Sequence, residues 1–236
     1  MNLSELFSLK LFKIIKENKR YKALLKPETF NVDYVMSLGS FCRTAQALKR
    51  NNLRTNASPF DWMMCYELST VANFFEQGLD NYFIHRSDLH EDKDGFRKIK
   101  DEDTGMIAMH HFPTTISVEQ FYPEFLETSK RRMERVRSSI ERSSTFAFVS
   151  YREFNFEDIE NFTFRLERKF PNRNLLFFGV FNQSFRSIDC FKVSKNSSIY
   201  KIGFPDKTDN VPQDLEWMGN LQEWDFFLKS IKLIKG

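Results

Sequence analysis

Cys42, Asp61, His110 and His111 carry the side chain types from which a nucleophile, a base and an orienting acid could be drawn. Cys42 comes directly after Gly39-Ser40-Phe41, which in turn follows an apolar run at residues 34–38 and precedes Ala45, Ala47 and Leu48. A buried strand that feeds a helix through a tight Gly-Ser turn leaves the first helical N–H groups unpaired at the positive end of the helix dipole, where a thiolate is stabilised. Cys42 is therefore the candidate nucleophile. Gly39, Ser40 and Arg43 are the candidates for holding an oxyanion or another anion at the same turn. The bland alternative is a small buried thiol in a strand-to-helix turn.

His110 and His111 lie in Met109-His110-His111-Phe112-Pro113, read as the place where a strand meets a loop. Such a position is rigid yet open to a cleft, which suits an acid–base residue. Neighbours on a strand point to opposite faces, so one of the two, not both, is available to Cys42. The same alternation argues against a two-histidine metal pair. The run from His90 to Gly95 lacks the first-position acid of a calcium loop, and neither a metal nor a cofactor motif is read. Asp61 stands between Phe60 and Trp62 in Pro59-Phe60-Asp61-Trp62. A carboxylate among aromatics needs a partner, so Asp61 either orients a base, caps a helix expected at residues 66–75, or anchors its loop. His111, Arg54 and Arg152 are second candidates, the first as base and the arginines as anion ligands.

The composition narrows the field. With 236 residues, 41% hydrophobic and 28% charged, the chain suits one sizeable core. A net charge of +3 lacks the basic excess of a nucleic-acid binder. Three widely spaced cysteines, Cys42, Cys65 and Cys190, argue for a reducing compartment rather than a disulfide framework, so the cytoplasm is expected. Residues 1–28 place Leu3, Phe7, Leu11, Ile14 and Ile15 at helical spacing, with seven Lys or Arg against three Glu. This reads as a basic amphipathic helix, too short and too charged to span a bilayer and without a cleavage site for secretion. It packs on the domain with a solvated lysine face or, in a second reading, docks peripherally on a membrane or a protein.

Residues 29–236 read as one α/β domain. Beyond the opening strand and helix, residues 85–104 form a charged loop or hairpin leading into a strand near residues 106–109. A long helix is expected over residues 123–142, with Pro123 at its first position. A strand at 145–150, a helix at Phe156–Lys169, strands at 174–180 and 198–202 and a terminal helix at 221–234 follow. Alternation of this kind predicts a three-layer fold, a mostly parallel sheet with helices on both faces.

Leu38-Gly39-Ser40-Phe41-Cys42, Ala45, Leu48-Lys49, Leu53-Arg54, the Pro59-Phe60-Asp61-Trp62 block and His110-His111-Phe112 resemble the bacterial family of unknown function described as putative papain-like cysteine peptidases, over roughly residues 33–180. The resemblance implies Cys42 as nucleophile and His110 as base. His111 stands where the family usually has an acid. It also implies a papain-like α+β fold, with a helical half bearing the cysteine and an antiparallel half bearing the histidine; the periodicity instead favours the α/β sheet.

Three functions fit these residues. The first is a cysteine hydrolase (peptidase or amidase) or acyltransferase in which Asp61 orients His110, acting on a small-molecule, peptide or glycan substrate. The second is a transferase or binding protein for a phosphorylated or surface-glycan intermediate, with Arg43, Arg54 or Arg152 as phosphate ligands. The third is a non-catalytic interaction module that uses the basic helices.

Overall fold

The computed structural model describes residues 29–39, 41–206 and 213–234. The basic segment at 1–28 and Ser40 lie outside them. Eleven strands and five α-helices are described. Two short strands, β1 (Phe30–Val32) and β2 (Tyr34–Ser37), precede helix α1 (Cys42–Arg50). An insertion follows, with β3 (Met63–Met64), α2 (Leu68–Gln77), β4 (Arg86–Lys93), β5 (Phe96–Asp101), β6 (Ile107–Pro113) and α3 (Val118–Arg142). The chain then runs through β7 (Thr145–Tyr151), α4 (Phe156–Lys169), β8 (Asn174–Asn182), β9 (Ser187–Lys192), β10 (Ser197–Phe204), a 3-10 turn (Gln213–Met218), α5 (Leu221–Leu228) and β11 (Ile231–Leu233).

The central sheet has the order β2-β7-β8-β10-β9. Its first four strands pair in parallel and β9 joins antiparallel to β10 at the edge. The strands are rich in aromatic and aliphatic residues on both faces, as a sheet covered on both sides requires. Alternate residues feed two cores. Tyr34, Met36, Phe146, Phe148, Leu175 and Phe177 pack against α2, α3 and α4, while Val35, Ala147, Val149, Phe178 and Val180 pack against α1 and α5. The three-layer α/β expectation is met, with one antiparallel edge strand. A division into helical and antiparallel halves does not describe the whole chain.

The insertion builds a second sheet, β3-β6-β5-β4, antiparallel throughout. Asp94 and Gly95, at φ of 58° and 78°, form the two-residue turn between β4 and β5. Both central residues of a type I′ hairpin need positive φ, and Asp-Gly meets that demand. Met63, Ile99, Ala108 and Phe112 from this sheet enter the core under α2 and α3.

Three expectations are corrected. The long helix starts at Val118, not at Pro123, because Ser117 caps it by accepting from Gln120 N at 3.3 Å, and Pro123 sits inside the helix. The terminal helix stops at Leu228, and residues 231–233 are a strand paired with β1. His110 and His111 lie inside β6, which continues to Pro113, and not at its end.

Candidate active site at the carboxyl ends of β2 and β7

β2 and β7 are adjacent and parallel, yet the chain leaves them in opposite directions. After β2 it enters α1, whose Ala47 and Leu48 bury on one face, and after β7 it enters α4, whose Ile159, Phe162 and Leu166 bury on the other. Such a topological switch point opens a crevice beyond the carboxyl ends of the strands, the usual ligand position in an open α/β sheet. A cleft of about 830 Å³ lies beyond the end of β7, lined by Tyr66 and Glu67 at the start of α2, by Arg152 and Phe154 after β7, and by Phe156 and Asp158 in the first turn of α4.

Cys42 is the first residue of α1 and is half-buried. The preceding residue, Phe41, supplies no side-chain cap and is 49% exposed, so the first N–H groups of α1 receive no side-chain cap. Gly39 is required where it stands, because a Cβ there would lie 2.6 Å from the Phe41 carbonyl oxygen and 2.8 Å from Thr44 Oγ1. Helix polarity alone predicts a stabilised thiolate. The structure reverses that expectation: burial pushes the Cys42 thiol up to about 11, its own backbone N–H pulls it back in part, and the Asp61 charge raises it further. Cys42 is therefore held as a thiol at neutral pH.

Asp61 is 2% exposed and fully engaged. Its Oδ1 accepts from Ser37 Oγ at 2.5 Å, and its Oδ2 accepts from Arg54 Nε at 2.9 Å, Arg54 Nη2 at 2.5 Å and Ser58 N at 2.9 Å. Among the described residues no hydrogen bond joins it to His110 or His111. Arg43 is equally committed. It donates to the carbonyls of Trp217 at 2.8 Å and Glu216 at 3.1 Å, pairs with the buried Asp206 carboxylate, and covers the Tyr151 ring at 4.7 Å. Its guanidinium is thereby turned toward the far end of the chain.

The histidines face different ways in the stretch where the register between β5 and β6 shifts. His111 turns inward against Phe125, with its Nδ1 buried and unpartnered, and burial pulls its imidazole down to about 3, helped by the nearby charges of Arg132 and His110. His110 faces outward, its ring set perpendicular to Trp62 at 6.0 Å and to Phe96 at 6.1 Å. Among the described residues neither histidine makes a hydrogen bond to Cys42. Trp62 itself has φ of 67°, a left-handed conformation that bulky residues seldom adopt, and Cys65 has φ of 57°.

Arg152 stands at the crevice floor. Its Nε donates to Ser150 Oγ at 2.7 Å, Nη1 to Tyr66 O at 3.4 Å and Nη2 to Leu38 O at 3.1 Å. All three acceptors are neutral, and among the described residues no carboxylate lies within ion-pair distance. Burial lowers this guanidinium, while Tyr66, Glu67 and Asp158 act in the opposite sense. Sequence reasoning missed two further hydroxyls in this neighbourhood, Tyr66 Oη and Thr44 Oγ1, both buried without a hydrogen-bond partner among the described residues. Burial raises the Tyr66 hydroxyl above its usual range, and the Arg152 charge acts in the opposite sense. No group of three or more potential metal ligands occurs among the described residues, and none of their helices is long and apolar enough to cross a membrane.

A family model described as "Putative papain-like cysteine peptidase" matches residues 33–175. The chain belongs to that family. The match to this peptidase-like family runs from β2 to β8 and so includes Cys42, Asp61, both histidines and Arg152, while Arg43's partners Asp206, Glu216 and Trp217 lie outside it. No curated protein and no solved structure matches the chain.

Proposed function

We propose that this chain is a cysteine-dependent hydrolase or acyltransferase that works at the switch-point crevice, with Cys42 as nucleophile and His110 as base. The position of Cys42 carries the reading: it opens α1 where β2 and β7 part, at the switch point of the sheet, while the cleft beyond β7 is lined by Cys65, Tyr66 and Arg152 and not by Cys42 itself. Family membership supports it. The Cys42 sulfur attacks a substrate carbonyl while its proton passes to His110, whose ring nitrogens have no hydrogen-bond partner among the described residues. The uncapped N–H groups of α1 face the developing oxyanion. The leaving group takes up the proton, and water or a second acceptor then cleaves the thioester. Asp61 serves as a positioning residue that fixes the loop before Trp62. Because the resting thiol is protonated, turnover depends on proton removal after substrate binds, and a peptide, amide, ester or glycan-linked acyl group fits the same chemistry.

The test is acylation by p-nitrophenyl acetate followed by peptide mapping. Acetyl is expected on Cys42 in preference to the exposed Cys65 and Cys190, with loss of the burst in Cys42→Ala and a slowing of about 10²-fold or more in His110→Ala. Acetylation of Cys65 and Cys190 with Cys42 unmodified defeats the reading. One observation favours a second reading, a transferase or binding site for an anionic ligand: Arg152 bonds only neutral oxygens. Inorganic phosphate that slows Cys42 alkylation in the wild type but not in Arg152→Gln identifies that function.

A further inference from the structure

Helix α3 bears a row of basic residues whose circumstances differ. Lys130 pairs with Asp80 at 2.6 Å, and Arg137 donates to the carbonyls of Phe74 and Phe75 at 2.9 Å each. Arg131 has Glu127 one turn before it and Glu134 one turn after it. Arg132 and Arg135 have no such balance. Their neighbours three and four positions away are Thr128, Ser129, Val136, Ser138, Ser139 and other arginines, with no acid among them. Among the described residues neither makes a hydrogen bond or an ion pair.

This stripe does not stand alone. Asn56 Nδ2 donates to Ser139 Oγ at 3.2 Å, one turn beyond Arg135, and so lays the loop after α1 along the same face of α3. That loop brings Arg54, whose charge is already matched by Asp61 at 2.5 Å. Asp61 already accepts from Ser37, Arg54 and Ser58 N, and among the described residues it makes no hydrogen bond to Arg132 or Arg135. Arg132 is half-buried. Burial lowers its guanidinium from the usual range, Asp61 opposes this, and the like charges of Arg54 and Arg135 lower it further. Three guanidiniums, Arg54, Arg132 and Arg135, thus share the one nearby carboxylate of Asp61, which leaves an excess of positive charge beside the Asn56–Ser139 contact.

We propose that Arg132 and Arg135, flanked by Asn56 and Ser139, form an anion site for a phosphoryl group carrying two negative charges. Two guanidinium forks can offer paired N–H bonds to phosphate oxygens, a geometry that lysines do not reproduce. The site lies on α3 and the loop after α1, apart from the cleft beyond β7, and does not require Cys42 chemistry.

The experiment measures thermal stability and calorimetric binding with inorganic phosphate and pyrophosphate, against sodium chloride at matched ionic strength. Phosphate is expected to raise the melting temperature beyond the chloride control. Arg132→Gln and Arg135→Gln should each bind at least about tenfold more weakly, the scale of one charge-assisted hydrogen bond, while Arg131→Gln binds as the wild type does. Arg135 is exposed, so its replacement tests the site even if Arg132→Gln folds poorly. Equal loss in Arg131→Gln and Arg135→Gln would mark diffuse surface attraction, and no difference between phosphate and chloride would mark no site; either result overturns the proposal. Cys42→Ala keeps phosphate binding, which separates this site from the reaction proposed above.

Discussion

Ser37 Oγ, at the end of β2, donates to Asp61 Oδ1 at 2.5 Å across twenty-four residues of sequence. The bond ties the Pro59-Phe60-Asp61-Trp62 loop to the strand that feeds the helix of Cys42. Because the carboxylate also receives Arg54 and Ser58 N, the strand end, the loop after α1 and the start of the antiparallel sheet meet at one charge.

Removing that charge should be costly. Asp61→Ala leaves Arg54 without its counter-ion and the Ser37 hydroxyl without its acceptor, and breaking a buried ion pair from one side costs about 3 kcal/mol or more. Urea denaturation should show a lowered midpoint with an unchanged slope. A loss below about 1 kcal/mol, the range of exposed pairs, would mean that Asp61 is no such junction.

Gly39→Ala probes the turn ahead of Cys42. The added Cβ would press on the Phe41 carbonyl oxygen and on Thr44, so the start of α1 must shift. A destabilisation of about 1–3 kcal/mol is expected, together with a changed alkylation rate at Cys42, since the thiol moves with the helix start. Wild-type stability and wild-type labelling would show that the turn has room to spare.

His111 links stability to pH. An imidazole in the unfolded chain takes up its proton near pH 6.5, whereas His111 in the folded protein is held neutral down to about 3. Between those values the unfolded state binds more protons, so His111 contributes a loss of stability as pH falls, with a slope of up to about 1.4 kcal/mol per pH unit. His111→Leu should flatten stability between pH 7 and 5, above the carboxylate range, and leave pH 7 stability little changed because no hydrogen bond is lost. An unaltered slope would mean that His111 takes up a proton in the folded state as readily as in the unfolded chain.

Much of the fold was legible because its signals are local. Helix α4 was read to the residue, since Asn155 can accept from Glu157 N and Asp158 N and the apolar stripe of Ile159, Phe162 and Leu166 repeats at helical spacing. The strand, turn and helix around Cys42 followed from a change of period. The short strands β1, β3 and β11 were missed because two or three residues carry no period, and their partners supply the evidence of strand. Residues 231–234 continue an apolar pattern, yet Ser230 Oγ turns back to Phe227 O at 2.6 Å and ends the helix. In the site, residue type and helix position were readable and burial was not. Helix polarity favours a Cys42 thiolate, while the third dimension adds desolvation and the Asp61 charge against it. Likewise, Asp61 was expected to be partnered, but Ser37 is remote in sequence and nothing local names it.

The clasp between β1 and β11 bears on how the molecule would carry load. Phe30 N donates to Ser230 O and Ile234 N donates to Val32 O, each at 2.8 Å, and the two strands run parallel. Tension pulling residue 29 and residue 234 apart would act along these strands in opposite directions, so their hydrogen bonds would be sheared together rather than unzipped one at a time. The five-stranded sheet and the Cys42 crevice lie behind that clasp and would feel such a force only after it gave way.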